Sequence, residues 1–96
     1  MTKDQIIEAA ALYLAHLISL GAEPNRMNPS KKFELGSQDA VKDHIAWMCD
    51  RLIKIANEGD VEKAGRWLGF IQGVLFMMGE YSIDEFRTHN GVKEVP

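Results

Sequence analysis

The chain has a single cysteine, Cys49, among 96 residues. An intramolecular disulfide and a cysteine-based zinc site are both excluded, which makes the cytoplasm the expected compartment. Basic charge is also short: 11 Lys and Arg stand against 14 Asp and Glu, for a net charge of −3. A general nucleic-acid binder needs a basic face to displace counterions, so no direct nucleic-acid binding is expected. Long apolar runs are missing too. The most apolar stretch, Trp67 to Met78, is interrupted by Gln72 and is well short of the ~20 residues that span a bilayer. The first residues, Met1-Thr2-Lys3-Asp4-Gln5, have no apolar signal core behind a basic flank, so neither a membrane span nor a leader is expected.

What is present is an ordinary globular composition, 46% hydrophobic, in a length that fits one small domain over residues 1–96. Thr2 to Gln5 reads as a capping box, followed by Ile6, Ala10, Tyr13, Leu14, Leu17, Ile18 and Leu20 on one helical arc. Gly21 ends this first helix, expected over 3–20. Residues 22–36, with Pro24, Asn25, Asn28, Pro29, Ser30 and Gly36, read as a long loop. Ser37 is an N-cap for a second helix, in which Val41, Ile45, Met48, Leu52 and Ile55 form a heptad-like seam. Asn57-Glu58-Gly59 ends it. Asp60 caps a third helix over 61–78, apolar on nearly every side and therefore expected at the centre of the fold. Ser82 to Glu85 is a second capping box, with Tyr81 and Phe86 placed as a hydrophobic staple for a short helix over 83–89. Residues 92–96 read as a frayed tail. The expected fold is all-α: a small bundle of three main helices plus a short C-terminal one.

Two features stand out as candidates for function. Gly65, Gly69 and Gly73 share one face of the third helix, at a cost of about 1 kcal/mol each relative to alanine. Close approach by another helix would offset that cost. Packing within the chain is the first expectation, a contact between two copies the second, and a ligand or partner groove bordered by Arg66, Gln72 and Phe76 the third. If the stripe is an internal packing surface, Gly69→Leu should destabilise the fold by overpacking. Trp47 projects opposite the Val41–Ile55 seam, among Asp43, Asp50, Arg51, Lys54 and Glu58. Either the loop covers it, through Phe33 or Leu35, or it anchors a partner, with Arg51 and Lys54 as the polar rim.

Catalytic and metal signatures do not appear. His16, His44 and His89 have no partner at a ligand spacing and read as surface or boundary residues, so no metal and no cofactor are expected. No nucleophile elbow, P-loop or His-Glu-x-x-His occurs. Cys49 lies on the apolar stripe of its helix and reads as buried rather than reactive. Arg26, Lys31 and Lys32 make the loop locally basic. They form a weak anion site at most, with a solvated loop as the plainer reading.

The stretch from His44-Ile45-Ala46-Trp47-Met48 through Arg66-Trp67-Leu68-Gly69-Phe70-Ile71-Gln72-Gly73-Val74-Leu75 to Tyr81-Ser82-Ile83-Asp84-Glu85 resembles a group of small proteins encoded by tailed phages and prophages. The resemblance covers the last half of the chain; the residues before Ser37 take no part in it. It implies no catalytic residue. It implies an accessory role in host takeover, recombination or counter-defence, exercised in the host cytoplasm. The expected function is therefore non-enzymatic: binding and modulating a host protein. Self-association into a homo-oligomer is expected separately, because the chain is small and its third helix has more apolar surface than two neighbouring helices can cover. The alternative is an oligomeric sponge that holds an anionic nucleotide near Arg26, Lys31, Lys32 or Arg66.

Overall fold

The computed structural model describes residues 1–32 and 38–91. The described residues form four helices, α1 (Lys3–Ser19), α2 (Gln38–Asn57), α3 (Val61–Met77) and α4 (Ile83–His89), and no strand. The all-α expectation of three main helices and a short fourth is met. Ser37 as an N-cap, Phe33 and Leu35 as cover, Gly36 and the tail 92–96 lie outside the described residues.

Local chemistry sets the helix ends. At Thr2 the hydroxyl accepts from the Gln5 backbone N–H, and the Thr2 N–H donates back to Gln5 Oε1 at 2.8 Å. Ser82 and Glu85 repeat this reciprocal pair on α4, and Tyr81 packs on Phe86 with ring centroids 5.5 Å apart, the staple expected there. Helix α1 closes through Gly21, whose φ is 91°. The Gly21 N–H donates to the Ile18 carbonyl and the Ala22 N–H to that of Leu17, the paired bonds of a Schellman ending. The same two bonds close α2 at Gly59 and Asp60. Asp60 also accepts the Lys63 N–H as N-cap of α3. One residue thus ends one helix and starts the next, and a connection this short makes α2 and α3 antiparallel neighbours.

The core draws Ile6, Ala9, Ala10, Tyr13 and Leu17 from α1. From α2 come Ile45, Ala46, Met48, Cys49, Leu52, Ile55 and Ala56, from α3 Ala64, Leu68, Ile71 and Leu75, and from α4 Phe86. The expected α2 seam is the core seam from Ile45 onward, with Val41 half-buried. Cys49 is fully buried, and burial pushes its thiol up to about 12.

The centre of the fold differs from expectation. Helix α2 packs extensively on both α1 and α3, whereas α1 and α3 meet only marginally. Helix α3 is therefore peripheral. It buries one stripe and leaves Gly69, Phe70, Gly73, Phe76 and Met77 exposed. An all-round apolar helix is buried only when enough chain surrounds it, and a domain of this size has too few elements to do so. The glycine stripe is corrected as well. Among the described residues a Cβ at Gly65 would meet only Ile6 Cδ1 at 3.9 Å, an ordinary contact, and at Gly69 and Gly73 it would meet nothing within 4 Å. Internal helix contacts run over buried alanines instead: Ala9, Ala10, Ala46, Ala56 and Ala64.

Candidate functional site

The face that α3 leaves uncovered is one side of an open groove of about 1050 Å³ between α2, α3 and the loop that precedes α2. Gly69 and Gly73 line it together with Phe70, Val74, Met77 and Met78 of α3, and Val41, Ile45, Trp47 and Met48 of α2. Trp67 completes the aromatic wall. Phe70 is 57% exposed and Met77 82%, so large apolar side chains here face solvent. The groove holds both tryptophans and four of the five methionines of the chain.

The loop forms the polar rim and is latched to α2 by backbone chemistry. Asp43 Oδ1 accepts the Glu23 N–H at 2.9 Å, the Asp43 carbonyl accepts the Asn25 N–H, and His44 Nδ1 accepts the Met27 N–H at 3.0 Å. His44 therefore carries its neutral proton on Nε2. Burial and the nearby Arg26 guanidinium hold the His44 pKa below its ordinary value, which favours this acceptor state. Asn28 accepts the Ser30 N–H through its side chain and the Lys31 N–H through its carbonyl, a compact Asx-type turn.

Trp47 sits at the meeting point of these elements. It is half-buried, 6.0 Å from Trp67 and stacked on His44 at 5.7 Å, with Arg26 Cζ 5.5 Å from its ring centroid. Phe33 and Leu35, the cover expected from the loop, lie outside the described residues. Among the described residues the loop reaches the ring through Arg26, and the ring also packs on Trp67 of α3. Of the charged neighbours projected for it, Asp43 binds the loop by accepting the Glu23 N–H. Lys54 pairs with Asp50 on the exposed face of α2, and Arg51 is exposed there too.

The remaining predicted positions divide in the same way. Arg26 and Lys31 line the groove. Lys32 is exposed outside its lining. Arg66 is exposed and paired with Glu62 at 2.9 Å, and Phe76 is exposed but not part of the lining. Gln72 is not a border of the groove. Its amide donates to the Tyr13 hydroxyl at 3.0 Å and to Asn90 Oδ1 at 2.7 Å, and accepts from Asn90 Nδ2. The Tyr13 hydroxyl lies 2.7 Å from His89 Nδ1, which fixes α4 against α1 and α3. Burial pushes the Tyr13 phenol up to about 12. His16 and Glu80 form a second tie, 2.8 Å long, from α1 to the α3–α4 turn.

Trp67, Phe70, Met27, Met48, Met77 and Met78 were not singled out by pattern as site residues. For Trp67, Phe70, Met77 and Met78 the available signal is the excess of apolar side chains along residues 67–78, which pattern alone assigns to the core; Met27 and Met48 carry no such signal. Among the described residues, no group of three or more His, Cys, Asp or Glu is placed to hold a metal ion, and no helix is long and apolar enough to cross a membrane. No protein-family model matches the chain, and neither a curated protein nor a solved structure does.

Proposed function

We propose that this chain is a non-enzymatic accessory protein that binds another protein and alters its action, and that the α2–α3 groove is the face it uses. The observation that carries this reading is the pair of open glycines in the groove. Each costs about 1 kcal/mol in a helix interior, and among the described residues nothing packs on Gly69 or Gly73 to offset it. Close approach by a partner would. Exposed Phe70 and Met77 beside them supply apolar area of the kind interfaces use. In the setting that the phage resemblance implies, the partner is a host protein.

Photo-crosslinking in cells tests this. A photoreactive residue at Met77 or Phe70 should give a discrete adduct with another polypeptide. The same residue at Glu8, exposed on α1, should not. Absence of an adduct at both groove positions would overturn the reading.

A further inference from the structure

We propose that the occupant of the groove is an acidic amphipathic helix of the partner. Its apolar stripe would lie along Gly69 and Gly73, and its carboxylates would reach Arg26 and Lys31. This deepens the binding role proposed above and rests on it.

Shape points to a helix. Two open glycines one turn apart leave a strip along α3 where a rod can approach more closely than the usual 8–10 Å between helix axes. From Gly69 to Met77 the strip runs about 12 Å, or two turns at 1.5 Å per residue. That length suits apolar anchors spaced i, i+3/i+4, i+7, the pattern by which helices seat in grooves. The wall chemistry agrees. Methionine is flexible and polarisable and re-packs around varied side chains, and the groove holds nearly all the methionine the chain has. Two tryptophans supply large, rigid contact area.

Charge selects the kind of helix. The chain as a whole carries an excess of acid, yet no Asp or Glu is among the described residues lining the groove, while Arg26 and Lys31 are. Arg26 is held over Trp47, so its guanidinium is partly ordered before any partner arrives. Carboxylates on the occupant would meet this cationic rim, and electrostatic complementarity of this kind sets partner choice and association rate. A second copy docked by two-fold symmetry would bring the same patch to itself, and that patch offers Arg26 and Lys31 no carboxylate among its described lining. Complementarity therefore favours an acidic partner over self-pairing.

The test is a titration of the full chain, read by tryptophan emission, with three probes. The first is a synthetic helical peptide of about 16 residues, near the length at which isolated helices begin to hold, with leucines at i, i+3, i+4 and i+7 and glutamates flanking them. The second carries lysines in place of the glutamates. The third is adenosine monophosphate. The acidic peptide should saturate the signal and bind at least about tenfold more tightly than the basic one at low salt, with the gap closing as salt screens the rim. The R26E/K31E double variant should reverse the preference. Gly69→Leu should abolish binding while its melting curve shows a folded protein. Equal binding of both peptides would overturn the acidic assignment and leave the groove as a protein-docking face. Saturation by the nucleotide with no response to either peptide would overturn both readings. A stable dimer in light scattering, with no response to either peptide, would assign the groove to a second copy and overturn the acidic-helix proposal.

Discussion

Trp47 of α2 and Trp67 of α3 lie 6.0 Å apart, centroid to centroid, with their planes at 41°. The pair joins the two helices just above the core and forms the aromatic wall of the groove. Its members are only half-buried, so the contact serves packing and surface at once. Trp47→Ala should therefore destabilise the chain by roughly 2 kcal/mol, less than the 3–5 kcal/mol for a fully buried aromatic. A double-mutant cycle with Trp67→Ala should give a coupling of about 0.5–1.5 kcal/mol, the range for aromatic pairs. Urea denaturation of the single and double variants measures both. A loss near zero for Trp47→Ala would mean that the ring contributes nothing to the fold.

Gly69→Ala and Gly73→Ala should each stabilise the protein, by about 1 kcal/mol. Among the described residues nothing lies within 4 Å of the added methyl, and the helix gains propensity. Gly69→Leu should likewise leave the fold intact, the opposite of what an internal packing stripe predicts. Thermal melts of the three variants decide between open groove and buried contact.

Acid should loosen the loop. The folded chain binds a proton at His44 less tightly than the unfolded chain does, because burial and Arg26 lower its pKa. Its contribution to stability is therefore complete above the ordinary imidazole value of 6.5 and is lost as pH falls through and below it. Protonation places a hydrogen on Nδ1, which can then no longer accept the Met27 N–H. Exchange of the Met27 amide, corrected for its intrinsic pH dependence, should lose protection as pH falls through and below 6.5. His44→Gln should remove that response, since its side chain does not titrate in this range. A response that persists in the variant would place the switch elsewhere.

Alkali should unfold the chain through its buried acids. Tyr13 and Cys49 both have pKa values pushed up to about 12. The folded chain holds these protons more tightly than the unfolded one, so stability is intact below their ordinary values and falls as pH rises toward 12. At neutral pH the Cys49 thiol should react with a thiol reagent only as fast as the chain opens. Reaction at the rate of a free thiol in the folded protein would contradict its burial.

Tyr13→Phe should cost about 0.5–1.5 kcal/mol, the net range for a typical hydrogen bond, because its partners Gln72 and His89 are only half-buried. The lost hydroxyl strands one Gln72 N–H and His89 Nδ1. Hydrogen exchange should show α4 losing protection before α1 and α2. Uniform loss across all helices would mean that the cluster does not specifically hold α4.

Much of this architecture was legible in local pattern. The capping boxes at Thr2 and Ser82, the N-cap Asp60, the Tyr81–Phe86 staple and the α2 seam from Ile45 to Ile55 all depend on residues within a few positions of one another. Such interactions are decided by chain geometry over one or two turns, whatever surrounds them. For the same reason Cys49 could be placed in the core from its spacing alone.

Which apolar face meets which neighbour was settled only by tertiary structure. Hydrophobic periodicity reports what a helix is able to bury, not how much surface the remaining chain has to bury it with. Helix α3 had more apolar surface than α2 could cover, so Ala64, Leu68, Ile71 and Leu75 went inward and Phe70, Met77 and the two glycines stayed out. The same competition placed Gln72 against Tyr13 and Asn90, across a separation of 59 residues in the first case, and brought Arg26 over Trp47. These pairings join elements distant in sequence, and no local pattern specifies them. The groove exists because three helices enclose one core and cannot enclose the far side of the third.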